Sequence, residues 1–446
     1  AFDTDKMKRW AGKGTIAVVD QAFISGSNFV VSILLARWSS TQEYGAFALA
    51  FALFLLLSQL QQSVLLEPMS VFGASYSGAR LKRYYGSLLH MQNGMLFAIT
   101  VPLVIAAMVA PHFGGGPQLA WALWGVAFAS PFVLLFWMAR RAFYLEHTPG
   151  PAAVGAVVYS IASFIGLVLV QRMGALTSFT AFVVMGVAAL VTSIAMFKRL
   201  RPQFRRKLED LNFMSECRQH WRYGGWALAG ALALWVPQNI YYAILSGASG
   251  MSAAADIRAL INLALPLQRV TVALGLLLLP YTARVYAERG HEGAKSITRM
   301  ICYLFTAGSV AYWAFVLLFR NQLFQLLYDG KYSSVKYLLP WLALSSVLNT
   351  VISALIVTLR AMRSPASVFY ASGAASVVAL GIGIPATWFW GIEGVIFSFI
   401  VSNVVTLGAA WWMMNRRLGN DQAASHTGID ADSAFGLQTL PQAKAS

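Results

Sequence analysis

A chain of 446 residues that is 58% hydrophobic and 11% charged is not a soluble globular domain, because such domains carry roughly 25% charged residues. Its mean hydropathy is +0.61, and the runs at 47–66 and 180–197 are long enough to cross the hydrocarbon of a bilayer. The net charge of +16 would suggest nucleic acid in a soluble chain; here it reports the orientation of loops, and no nucleic-acid partner is expected.

The N-terminal stretch AFDTDKMKRWAGKG is polar and basic, and the apolar run after it lacks a convincing cleavage site. It reads as an uncleaved cytoplasmic arm (1–13) followed by a first spanning helix. Hydropathy and helix breakers then mark twelve spans: 14–38, 44–66, 86–110, 118–140, 150–171, 175–198, 223–247, 254–286, 296–319, 335–360, 364–390 and 391–415. The runs are continuous and do not alternate, so they are helices and not barrel strands. The fold class is an all-α polytopic membrane protein of two parallel-repeat six-helix bundles around a central cavity.

The connections alternate in charge. One set carries Lys6, Lys8, Arg9 and Lys13, then Arg80, Lys82 and Arg83, then Arg140 and Arg141, then eight basic residues between 198 and 222. It continues with Arg284, Arg289, Lys295 and Arg299, then Arg360 and Arg363, and ends at Arg416 and Arg417. The opposite set holds only Arg37, Arg172, Arg258, Arg320, Lys331 and Lys336. The positive-inside rule makes both termini cytoplasmic.

In the segment 199–222, Phe204, Leu208 and Leu211 recur at helical spacing among cations. Two readings stand: an amphipathic linker along the inner leaflet, or a solvated basic loop. Beyond 415 the tail (416–446) is polar, rich in small residues and expected to be disordered. Cys217 and Cys302 fall in a basic loop and an apolar run, so no disulfide framework is expected.

The linker separates an N-terminal bundle (14–198) from a C-terminal one (223–415), and the two resemble each other. The segment 27–36 aligns with 238–247 at an offset of 211, and 67–86 aligns with 279–298 at an offset of 212. Pro68 then meets Pro280, and Arg83 meets Lys295. Six spans per repeat leave both in one orientation, as suits a transporter that rocks two bundles about a central site.

Polar residues collect on the corresponding spans. In the first, Gln21, Ser25, Asn28 and Ser32 share a face. The second contributes Ser58, Gln59, Gln61, Gln62 and Ser63, and the seventh Trp235, Gln238, Asn239 and Tyr242 beside Pro237. In the eighth, Asn262, Pro266 and Arg269 share a face. Single amides of this kind are often interhelical glue; converging from paired positions of two repeats, they are read as a lined cavity. Arg269 is the strongest of them. A guanidinium at this depth costs about 2.5–3.5 kcal/mol on insertion scales, so it belongs beside water or an anion, or else in an internal pair.

Carboxylates are scarce. Asp20, in the cytoplasmic half of the first span, is either a coupling-ion site or a carboxylate favoured by a nearby helix N-terminus. Glu67 is either an ion pair with Arg80, Lys82 and Arg83 or part of a gate. Asp256 and Arg258 are expected to form a rim pair at the outer mouth. The segment 328–344 either shapes that mouth or anchors the interface. No GxxxxGK[ST] motif and no metal-spaced histidine cluster occurs, so no metal, cofactor or enzymatic chemistry is expected.

Three stretches, DQAFISGSNFVVSILLARWSSTQEYGAFALAF (20–51), EPMSVFG (67–73) and LYDGKYSSVKYLLPWLAL (327–344), resemble the bacterial polysaccharide flippases. These belong to the multidrug/oligosaccharidyl-lipid/polysaccharide exporter superfamily, and the resemblance runs over 14–415. It implies a twelve-to-fourteen-helix, two-bundle fold with a central, often cationic cavity in the bacterial inner membrane. It also implies movement of polyprenyl-pyrophosphate-linked oligosaccharide to the periplasmic leaflet. An H+ or Na+ coupling ion and contact with polysaccharide-polymerase machinery are partners this reading allows. The fourteen-helix lipid II flippases match less well. A drug/cation antiporter of the same superfamily is the alternative, disfavoured by the scarcity of buried carboxylates. A membrane glycosyltransferase, polymerase or ligase would want larger outer loops.

Overall fold

A computed structural model of the chain describes residues 4–113, 116–202, 211–362 and 365–427. Those residues are helical between short turns, with no strand among them. The helices are α1 (Thr4–Trp38), α2 (Thr41–Gln61), α3 (Glu67–Phe72), α4 (Gly78–Val109), α5 (Gly116–Leu145), α6 (Pro149–Arg172) and α7 (Ser178–Leu200). They continue with α8 (Leu211–Ala248), α9 (Met251–Leu318), α10 (Arg320–Tyr328), α11 (Leu339–Ala361), α12 (Pro365–Val378) and α13 (Ile384–Thr427). A π-helical turn, Gln62–Leu66, joins α2 to α3, and another, Ala379–Gly383, joins α12 to α13.

Local chemistry sets the boundaries. Ser40 caps α2 by accepting the Glu43 N–H, and Thr177 and Thr180 close a reciprocal box at the start of α7. Past the end of α6, Gly174 takes a positive φ, and the N–H groups of Gly174 and Ala175 return to Gln171 and Val170. The helix around Trp235 bends by 57° between Leu232 and Trp235. The bend falls in the turn before Pro237, whose ring displaces the carbonyl four residues earlier.

Among the described residues, nine helices are long and apolar enough to cross a membrane, or ten with the bent pair. Two of the nine are too long for one crossing. The 68 residues of α9 would extend about 100 Å at 1.5 Å per residue, against a core of about 30 Å. Gly290 interrupts α9 at φ 56° and ψ −139°, and Gly391 interrupts α13 at φ 58° and ψ −131°. Gly78, 212 positions before Gly290, has φ 55° and stands at the same place in the aligned segments 67–86 and 279–298.

Several expected boundaries shift. The first helix starts at Thr4, not at 14, and α4 starts at Gly78, not at 86. Of the segment 199–222, residues 203–210 with Phe204 lie outside the described residues, as does Leu208; from Leu211 the chain is already helix α8. The expected disordered tail is helical to Thr427; positions 428–446 lie outside the described residues, as do 1–3 and Arg363.

The chain divides into two compact units. The first holds the described residues up to Leu265, with Phe319–Leu339 and Ile382–Val395. The second holds the described residues of Pro266–Leu318 and Pro340–Gly381 and those from Ile396 on. By this division the chain first changes unit within α9, between Leu265 and Pro266. In the first unit α5 packs along α7, and α1 along α6. Gly125 and Gly186 make the first of these contacts close: a Cβ on either would stand 3.0 Å from the facing helix. Phe47 stacks on Phe182 at 4.9 Å and Phe136 on Tyr159 at 5.0 Å. In the second unit, Thr298 and Thr358 bond at 2.8 Å beside a core of Ala294, Leu355, Leu359 and Ala410. Asn403 there donates to Ser345 O and Oγ, both at 2.9 Å.

Candidate functional site

Four helices of the first unit place polar side chains around one buried guanidinium. Ser32 comes from α1, Tyr44 from α2, Tyr242 from α8, and Arg258 and Asn262 from α9; all are buried. Their hydrogen bonds can be assigned by counting protons. Ser32 Oγ donates its single proton to Asn262 Oδ1 at 3.2 Å. Its 2.8 Å contact with Tyr44 OH must then have the tyrosine as donor. Asn262 Nδ2 closes the ring by donating to Tyr44 OH at 2.8 Å. Arg258 Nε donates to Ser32 Oγ at 3.5 Å and Nη1 to Tyr242 OH at 3.4 Å. The guanidinium lies 5.2 Å from the Phe51 ring centroid and 6.0 Å from that of Tyr242.

No carboxylate makes a hydrogen bond or ion pair with Arg258 among the described residues. The expected rim pair with Asp256 is therefore incorrect. Residues two apart on a helix point to different sides. Arg258 points with Asn262, four residues on, into the interior. The i, i+4 relation to Asn262 was the signal in the sequence that could have placed it there.

Asp20 stands in a second buried cluster. It is 1% exposed, and Arg140 holds its carboxylate from Nε at 3.1 Å and from Nη2 at 2.5 Å. Tyr144 adds a bond to Oδ2 at 2.6 Å. The helix N-terminus considered for Asp20 is not its environment: α1 begins at Thr4, more than four turns away, and a helix dipole acts within its first turn. Glu67 makes no ion pair with Arg80, Lys82 or Arg83 among the described residues. Arg80 lies instead over the Tyr76 ring at 4.3 Å.

The other polar residues separate into distinct settings. Gln62 accepts from Arg141 Nη2 at 3.4 Å. Asn239 donates to Trp235 O at 3.1 Å, one turn back on its own helix. Gln238 is exposed, and Asn28 and Gln59 are half-buried. Gln61 is fully buried and donates to Gln92 Oε1 and Leu134 O, both at 2.7 Å, which makes it interhelical glue. Arg269, in the second unit, is exposed and makes no hydrogen bond or ion pair among the described residues. Among the described residues no group of His, Cys, Asp and Glu is arranged to hold a metal ion.

An apolar groove of about 510 Å³ lies between α1 and α6. Ala22, Phe23, Gly26 and Val30 line one side, and Ile161 and Phe164 the other. The Ser160 hydroxyl there is turned to Phe23 O and Ala156 O. The groove faces away from the polar stripe of Gln21, Ser25, Asn28 and Ser32, so α1 is two-sided.

No protein-family model matches the chain, and no curated protein matches it. Solved structures do. The inward-facing conformation of a multidrug resistance MATE family transporter of the MOP superfamily is 14% identical, with a TM-score of 0.76 over 91% of this chain and 96% of that one. The lipid II flippase MurJ in an inward closed conformation is 10% identical, with a TM-score of 0.71 over 96% and 94%. The MATE multidrug transporter DinF-BH is 13% identical, with a TM-score of 0.62 over 92% and 95%. The all-helical chain has the fold of these membrane transporters.

Proposed function

We propose that the protein is a flippase that moves polyprenyl-pyrophosphate-linked oligosaccharide from the cytoplasmic to the periplasmic leaflet by alternating access. The observation that carries this reading is the balance of charge inside the helices. Asp20 is the one buried carboxylate among the described residues, and Arg140 already neutralises it. Arg258 is buried without a carboxylate, and Arg269 is exposed without a partner among the described residues. Such helices offer positive charge to a ligand, and a pyrophosphate accepts from guanidinium groups through paired, charge-assisted bonds.

In this reading the chain makes twelve crossings of the bacterial inner membrane, with α9 and α13 each counted twice across Gly290 and Gly391. The bundles are 14–198 and 223–415, and both termini are cytoplasmic. The positive φ shared by Gly78 (55°) and Gly290 (56°) supports the repeat. Arg269 takes the pyrophosphate, while Asn28, Gln59, Gln62, Gln238, Asn239, Asn262 and Trp235 meet the sugars. Asp20 and Glu67 serve as internal electrostatic partners, and a coupling ion is optional. The relatedness in fold to a lipid II flippase supports a lipid-linked substrate.

A second reading, a drug/cation antiporter, is favoured by the likeness to multidrug transporters and by the burial of Asp20. It requires a cation to displace Arg140 from that carboxylate. Complementation separates the two. A polysaccharide-export mutant carrying the wild-type chain should regain surface polymer, and Arg269→Ala, present in the membrane at wild-type level, should not. Drug resistance without polymer would favour the antiporter.

A further inference from the structure

The first unit gathers helix ends that are far apart in sequence: the end of α1, the starts of α2 and α9, the end of α8, and the segment Phe319–Leu339 containing α10. Two of these ends cap each other. Lys331 Nζ donates to Arg37 O at 2.6 Å, in the last turn of α1, and to Ser39 O at 2.9 Å, just past its end. Arg37 Nη1 donates in return to Leu326 O, in the last turn of α10. Each cation sits where the partner helix ends its dipole.

Tyr332 joins the same layer. Its ring lies 6.0 Å from Tyr44 and 5.3 Å from Tyr328, and its hydroxyl donates to Ala36 O at 3.4 Å. Tyr328 donates to Ala259 O at 2.8 Å. At Gly45 the first turns of α2 and α9 touch backbone to backbone: a Cβ there would stand 1.7 Å from Met251 O. Tyr44 links this layer to the ring it forms with Ser32 and Asn262, to which Arg258 is bonded.

None of these bonds ends on a carboxylate. The cations are held by carbonyls, hydroxyls and ring faces, partners that water replaces readily. Partial burial pulls the Lys331 ammonium below its ordinary pKa, with Asp329 opposing. On opening, water can take over both the cations and the hydroxyls and carbonyls that held them. The chain also leaves the closed layer at points that bend easily. Pro266 lies within α9, Phe319 breaks the helix at φ −99° and ψ 18°, and Pro340 follows the segment.

We propose that this layer is the gate on the side opposite the basic loops, and that it opens when Arg37, Lys331 and Arg258 exchange their neutral partners for water. The proposal rests on the alternating-access reading above and names the residues that seal one end of the route.

The test uses the full chain in proteoliposomes, with Cys217→Ser and Cys302→Ser, and Arg37→Cys paired with Lys331→Cys. Uncross-linked, this variant should still flip lipid-linked oligosaccharide at a measurable rate. Bridged by a short reducible bis-thiol reagent, it should slow at least about tenfold, and reduction should restore it. Flipping that persists undiminished in the bridged chain overturns the proposal. Should the pair be inactive before bridging, spin labels on the exposed Gln42→Cys and Ser334→Cys report the same motion. A second, longer distance population is expected, and a single short distance with and without an imposed potential overturns the gate. The distances need no substrate. A wild-type chain that opens but does not flip the glycolipid would therefore sink the substrate reading and leave the gate standing.

Discussion

Arg140 and Asp20, 120 residues apart, form a two-point ion pair inside the helical unit, with Nε and Nη2 on separate carboxylate oxygens. The side chains are 12% and 2% exposed, so neither charge is solvated by bulk water. Removing one partner strands the other, at a cost of about 3–5 kcal/mol, whereas removing both leaves little uncompensated. We predict that Asp20→Asn lowers the thermal unfolding temperature in detergent sharply. Asp20→Asn with Arg140→Gln should recover most of the loss. A double variant no better than the single would show that the pair is not what Asp20 serves, and would return it to the coupling role.

Much of this architecture was legible in the residues, because it depends on short-range physics. Apolar runs of spanning length become helices wherever they occur, and the offset of 212 that pairs Pro68 with Pro280 also pairs Gly78 with Gly290, which share a positive φ. The bend near Trp235 follows from Pro237. What was not legible depends on partners brought from far away. Arg258 reads as a rim residue beside Asp256 until Tyr44, Phe51 and Ser32, more than 200 positions earlier, close over it. Arg140 reads as a loop cation because its partner lies on another helix. Lys331 and Arg37 belong to the sparse outer charges, and only the fold reveals that each caps the other's helix.

Gly45 and Gly94 offer opposite signs for one substitution. Alanine in an exposed helix interior is favoured over glycine by about 0.5–1 kcal/mol, and at Gly94 a new Cβ meets nothing within 4 Å. At Gly45 the same Cβ would stand 1.7 Å from a backbone oxygen of Met251, which cannot rotate aside. Overpacking of this kind costs about 1–3 kcal/mol or more. We predict that Gly94→Ala is neutral or stabilising and that Gly45→Ala is destabilising, by thermal unfolding of the purified chains. Equal effects would mean that α2 and α9 do not touch there.

Arg269 should behave unlike Arg258 when removed. It is exposed and makes no hydrogen bond or ion pair among the described residues, so Arg269→Ala should change stability by no more than about 0.5 kcal/mol. Its effect should fall on transport. Arg269→Lys keeps the charge but loses the paired donors, and we predict a flipping rate between those of wild type and alanine. Measured side by side, a large loss of stability in Arg269→Ala would assign the residue a structural role.

Voltage gives the sharpest separation of the two transport readings. Moving one elementary charge through 100 mV changes the free energy by about 2.3 kcal/mol, about fiftyfold in an equilibrium. An inside-negative potential drives an anion outward and opposes an exported cation. The Asp20–Arg140 pair is neutral as a unit and adds nothing to this, whereas Arg269 would cancel part of the substrate's charge if it moved with the pyrophosphate. We therefore predict that outward flipping in proteoliposomes accelerates with an inside-negative potential, and that residual flipping by Arg269→Ala depends on voltage more steeply than the wild type. A rate indifferent to the imposed potential would remove the voltage drive and make a coupling ion necessary.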